Sequence, residues 1–171
     1  MHVTVLVFNG VTSREVVLPL TAISDAVNPT VRWVALQPGP VHGFEPLQRF
    51  EAEAGLDTVE PTDLLLVPGG LGSVRMMEDP EVVSWVAATA AQARFVMSVS
   101  TGSLLLAAAG LLADRDASGH WLASGVLEAA GAHPTEQLVT WQGNVVTTAG
   151  AAAAADVAAE LPRRIEYGAP G

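Results

Sequence analysis

Short apolar runs alternate along this chain with stretches whose apolar positions recur at helical spacing. Val3–Phe8 is such a run, ended by the turn pair Asn9-Gly10, and reads as a buried strand. Thr12-Ser13-Arg14-Glu15 has the form of a capping box, and Val16, Leu20, Ile23 and Val27 continue it as a helix. Pro19 lies inside that pattern and predicts a kink. Val31–Leu36 reads as a second strand, and residues 37–62, punctuated by proline and glycine, as a short hairpin or loop segment. Asp63–Val67 is a further buried strand running into Pro68-Gly69-Gly70-Leu71-Gly72. That loop lets backbone N–H groups approach a ligand.

Asp79-Pro80-Glu81 opens another helix, with Asp79 as its N-cap. Phe95–Val99 is a strand that passes almost without a linker into a helix over Thr101–Ala109, stopped by Gly110. Leu122–Ala130 reads as helical and ends at Gly131. Leu138–Trp141 and Asn144–Thr148 flank Gln142-Gly143 as a pair of strands, and Ala151–Leu161 is a last helix closed by Pro162. Strand–helix alternation with strands apolar on both faces predicts an α/β fold with a mostly parallel, doubly covered sheet. Ligand sites in such sheets form at the carboxyl ends of strands, where both the Pro68–Gly72 loop and Ser100 fall. No repeat or low-complexity linker interrupts residues 1–171, so a single domain is expected.

Composition narrows the function. The chain is 50% hydrophobic and carries 18 acidic against 8 basic residues, all of the latter arginine, for a net charge of −10. An acidic chain without a basic run is a poor match for a nucleic-acid backbone. No apolar stretch is long enough to span a membrane, and the first residues lack a basic leader region, so a cytoplasmic location is expected. Cysteine is absent, which removes disulfides, thiolate metal ligands and thiol catalysis. His2, His42, His120 and His133 show no metal-binding spacing, so no metal site is expected.

Ser100 sits between a buried strand and a helix, flanked two residues away by Ser98 and Gly102. Such a turn pushes a side chain into the open beneath helix N–H donors. The same residues also fit a simpler role in which Ser100 or Thr101 caps the helix. Glu15 has two readings as well: completion of the capping box, or a carboxyl facing the site and sharing a proton with the nucleophile. His120, beside Trp121, is either a packing residue or an acid or base lining the site. Asp156, in an alanine-rich helix, reads as a solvated or capping carboxylate.

Ser98–Leu112 resembles the nucleophile segment of the PfpI/ThiJ superfamily, which is related to class I glutamine amidotransferases. It is most similar to the branch that contains isonitrile hydratases. Asp63–Gly70 resembles that family's Asp-x-Leu-x-Val-Pro-Gly-Gly strand and loop. Phe8–Thr12 with Glu15-x-x-x-Pro19 resembles its first strand and acidic helix. His120-Trp121, Gly143-Asn144, Thr148–Gly150, Asp156 and Ile165–Tyr167 follow in the family's order. The resemblance implies a flavodoxin-like three-layer α/β/α sandwich and a homodimer. It also implies a site in which Ser100 attacks a small electrophile beside Glu15. Oxyanion donors would come from Gly69, Gly70 and the backbone of Thr101-Gly102. No metal or organic cofactor is implied.

The chain departs from the pattern in places: serine stands at 100 where relatives carry cysteine, Arg14 replaces an apolar residue, Ala151–Ala155 replaces a stretch richer in serine and glycine, and the helix after Asp156 is expected to be short. An unassisted hydroxyl stays neutral and needs an adjacent base, for which Glu15 and His120 are the candidates. Two functions follow as expectations. One is a hydratase or hydrolase acting on a small electrophile such as an isonitrile. The other is a binding or regulatory module that keeps the pocket and has lost the nucleophile.

Overall fold

A computed structural model describes residues 1–167. Its centre is a six-stranded sheet built from β1 (His2–Leu6), β2 (Thr30–Val34), β5 (Thr62–Val67), β6 (Ala93–Val99), β9 (Val139–Gln142) and β10 (Val145–Thr148). The strand order is β2-β1-β5-β6-β10-β9. Every neighbouring pair is parallel except the β9–β10 hairpin at one edge. α1 (Ser13–Ala26) packs along α6 (Ala151–Tyr167), while α2 (Ser73–Met76) and α3 (Pro80–Ala90) pack with α4 (Ser103–Ala108). These two helical groups cover the sheet as the outer layers of an α/β sandwich. Leu64, Leu65 and Leu66 are successive in β5 and all fully buried, as a strand covered on both faces requires.

The 37–62 segment contains an antiparallel hairpin, β3 (Gly39–His42) and β4 (Arg49–Ala52), which stands apart from the main sheet. A two-residue parallel pair, β7 (Asp116–Ala117) with β8 (His133–Pro134), was not legible in the sequence. It anchors the segment leading to His120. The helix expected over Leu122–Ala130 is split into a 3-10 turn at Trp121–Ala123 and α5 (Ser124–Ala129).

Two proline expectations turn out differently from one another. α1 runs on through Pro19, where a kink was expected, without ending there. α6 also continues through Pro162, which therefore does not close it. An internal proline costs a helix about 3 kcal/mol, so the following turn needs outside support. Pro162 is buried with Leu161, the Arg94 guanidinium donates to the Ile165 carbonyl, and Arg164 lies over the Trp141 ring at 4.4 Å.

Candidate active site

Three loops at the carboxyl ends of β1, β5 and β6 meet over one pocket. The last begins where β6 ends, at Ser100, the first residue of a 3-10 turn over Ser100–Gly102 that leads into α4. Ser100 has φ +56°, a left-handed conformation that serine adopts at a cost of about 1–2 kcal/mol. Neighbouring groups hold it there. Ser103 Oγ donates to the Ser100 carbonyl at 2.9 Å. Gly102 lies so close to β5 that a Cβ on it would come within 2.1 Å of the Val67 carbonyl oxygen. The N-cap of the turn is Val99, so Ser100 stands inside the turn rather than at its capping position. Only 5% of the residue is exposed, and that part lines the pocket.

The capping-box reading of Glu15 does not hold. The Thr12 side chain makes no cap hydrogen bond, so the capping box does not form. Instead Glu15 turns inward and its Oε2 accepts the Gly69 N–H at 2.7 Å. Burial raises its pKa to about 7, against the opposing pull of the Gly69 amide and then the Ser100 side-chain hydrogen bond. The carboxyl therefore exchanges a proton near neutrality, as a general acid or base requires.

Thr101 Oγ1 accepts the Gly70 N–H at 2.9 Å, which ties the Ser100 turn to the glycine loop. No side chain fits between them: a Cβ on Gly69 would lie 2.5 Å from Thr101 Oγ1 and 2.7 Å from Glu15 Oε2. These contacts engage two of the amides expected as oxyanion donors. The Gly69 and Gly70 amides already donate to Glu15 and Thr101, so they brace the acid and the turn. Gly102 is buried and packs on β5 without lining the pocket.

His120 does reach the pocket wall. Its Nδ1 accepts the Leu122 N–H at 3.2 Å and so caps the 3-10 turn, while its ring stacks on Trp121. An accepting Nδ1 places the proton of the neutral ring on Nε2. His120 thus caps the 3-10 turn and lines the pocket.

The pocket has a volume of about 330 Å³. Beyond Thr12, Gly70, Ala123 and the four polar residues already placed, its walls are Phe44, Leu71, Val74, Leu104, Leu122 and Val126. Several are well exposed at the rim, Leu71 at 72% and Phe44 at 56%. Phe44 and Leu71 stand in loops without periodicity, so pattern alone does not mark their side chains as pocket walls. A larger hollow of about 650 Å³ lies by Leu36–Pro38, Leu56 and Trp85, with Asp57 and Glu81 among its lining residues. Size alone would favour it, but the group titrating near neutrality and the strained hydroxyl are both in the smaller pocket.

These features define a mostly parallel α/β sandwich with a strained strand-to-helix turn, a buried acid beside it and a glycine loop at the carboxyl ends of its strands. The chain belongs to the DJ-1/PfpI family, whose family model matches residues 1–163. It is 42% identical over 103 residues to isonitrile hydratase of Pseudomonas putida, covering 60% of this chain and 45% of that protein. It is also 42% identical over 53 residues to the HTH-type transcriptional regulator Rv1931c of Mycobacterium tuberculosis, covering 31% of this chain and 20% of the regulator. The chain thus spans less than half the length of either relative. The crystal structure of a ThiJ/PfpI family protein from Pseudomonas syringae superposes with a TM-score of 0.84 at 29% identity, covering 99% of this chain and 76% of that one. No helix among the described residues is long and apolar enough to cross a membrane.

Proposed function

We propose that this domain hydrates a small, uncharged electrophile of the isonitrile type, with Glu15 as the proton-transfer group and Ser100 as its hydroxyl partner. The observation that carries this reading is a carboxyl with a pKa of about 7 beside a strained hydroxyl, in a pocket walled mainly by apolar side chains. Similarity to isonitrile hydratase supports the substrate class.

In this reading the ionised Glu15 takes a proton from a water held against Ser100 and Thr101. The resulting hydroxide adds to the terminal carbon of R–NC, and Glu15 returns the proton to that carbon. The imidic acid R–N=CH–OH then tautomerises to the formamide R–NH–CHO, so one water is consumed and no redox change occurs. The Nε2–H of His120 is available to the substrate nitrogen. The protein works as a cytoplasmic homodimer on a small molecule, without metal or organic cofactor.

The test is formamide formation from an alkyl isonitrile by the wild type, Ser100→Ala, Ser100→Cys and Glu15→Gln. Wild-type turnover that is abolished in Glu15→Gln and reduced in Ser100→Ala is the expected result. No turnover by the wild type or by Ser100→Cys would overturn it.

A second reading, a ligand-binding regulatory module, is favoured by the similarity to a transcriptional regulator and by the missing thiol. It predicts saturable isonitrile or formamide binding without turnover, and turnover in Ser100→Cys alone would move the assignment toward it.

A further inference from the structure

The proposed mechanism leaves Glu45 unused, yet this residue touches the frame of the site. It lies in the loop that follows β3, thirty-two residues along the chain from its partner Ser13. Its Oε2 accepts the Ser13 amide at 3.1 Å and the Ser13 hydroxyl at 2.6 Å. Ser13 opens α1, two residues before Glu15, and its amide is one of the donors that a helix start leaves unpaired. Because Thr12 provides no side-chain cap, the cap comes from a distant loop instead.

The adjacent residue, Phe44, forms one wall of the pocket. Its amide donates to the Val11 carbonyl at 2.7 Å, and the loop closes on itself through the Gly43 amide and the Gln48 carbonyl at 2.9 Å. Val11 also bridges to Gly70, and the Thr12 amide donates to the Gly69 carbonyl. Glu45, the first turn of α1 and the glycine loop are thereby laced into one unit.

We propose that Glu45 is a positioning residue for the site: its carboxylate clamps the Phe44 loop to the first turn of α1 and so fixes both the pocket wall and the Glu15 side chain. The clamp also carries charge. Hydrogen bonds from the Ser13 hydroxyl and amide, with a smaller contribution from Arg14, hold the Glu45 carboxyl below its ordinary range. It is therefore ionised near neutrality, and its negative charge adds to the burial that keeps the proton on Glu15. The other groups facing Glu15 are the Gly69 amide and the Ser100 hydroxyl, with His120 lining the same pocket. Two carboxyls thus share one helix start, one ionised outside and one exchanging its proton near neutrality inside.

This inference concerns the same pocket as the proposed function, but its test needs no isonitrile, so the two can fail separately. The Glu15 carboxyl is followed by carbon-13 NMR against pH, its resonance identified by loss in Glu15→Gln. Hydrogen exchange reports the 43–48 loop. Glu45→Gln keeps an acceptor for Ser13 but removes the charge, so the Glu15 midpoint falls while loop exchange changes little. Glu45→Ala removes both, so the midpoint falls and loop amides exchange about tenfold faster or more, as loss of a charged hydrogen bond implies. A merely structural cap would lower the melting temperature and leave the Glu15 midpoint unmoved in Glu45→Gln. That result, or unchanged loop exchange in a folded Glu45→Ala, overturns the proposal.

Discussion

The Glu15 carboxylate oxygen and the Gly69 amide nitrogen lie 2.7 Å apart, joining the first helix to the loop after the central strand β5. Each needs the other. The amide is the strongest group opposing the burial that raises the Glu15 pKa, and the carboxyl leaves no room for a side chain on Gly69.

Stability should therefore depend on Glu15 between about pH 4.5 and pH 7. Its folded pKa, about 7, stands above the ordinary value of 4.5. The folded state binds the proton more tightly, so this contribution is complete below pH 4.5 and is lost as pH rises through 7. The difference amounts to ~3 kcal/mol at order of magnitude. Glu15→Gln cannot ionise, and its amide oxygen can still accept from Gly69. Melting temperatures measured from pH 5 to pH 8 should show the variant gaining on the wild type as pH rises. Parallel curves would show that Glu15 titrates at the same pH in the folded and unfolded chain.

Gly69→Ala should disturb the acid without dismantling the sheet. The new methyl would press on Thr101 Oγ1 and Glu15 Oε2, which are side-chain atoms able to shift, and also on the Thr101 backbone nitrogen at 2.7 Å, so the turn must move a little as well. A loss of about 1–3 kcal/mol in denaturant unfolding is expected, with a changed Glu15 midpoint. Gly102→Ala should be worse, because its methyl would meet the Val67 carbonyl and the Pro68 backbone. Equal losses for the two variants would contradict the packing described for the elbow.

Strain at Ser100 predicts an inversion of the usual ranking of small residues. Glycine accepts φ +56° freely, whereas alanine does not. Ser100→Gly should be more stable than Ser100→Ala by about 1 kcal/mol in chemical denaturation. Both variants lose the hydroxyl and should show turnover reduced to a similar extent.

Phe44 offers a test of the pocket wall. Removing its ring in Phe44→Ala should raise KM for a bulky alkyl isonitrile about tenfold, the order expected for losing part of one aromatic contact, and leave kcat nearly unchanged. A fall in kcat at constant KM would place Phe44 closer to the chemistry than the structure does.

The sequence showed the main strands and the elbow because buried parallel strands and tight turns leave local marks. The run Asp63–Val67 and the small residues around Ser100 are such marks. Pro162 misled because a local breaker can be overridden by distant support, here Arg94 on the Ile165 carbonyl. Thr12-x-x-Glu15 has a capping-box spelling, but the competing Gly69 amide is 54 residues away. The same limit hid Glu45, whose partner Ser13 lies on a different element. Local pattern encodes the element; the choice between two uses of one carboxyl is made by tertiary contacts.

The left-handed backbone at residue 100 imposes shape before chemistry. It is held by the Ser103 hydroxyl on the Ser100 carbonyl and by the bare Gly102 against β5, both acting on the backbone. Oxygen and sulfur would be displayed there in the same direction by the same scaffold. A single-atom exchange can consequently turn a proton-sharing pocket into a thiol site, or the reverse, with no rearrangement of the fold around it.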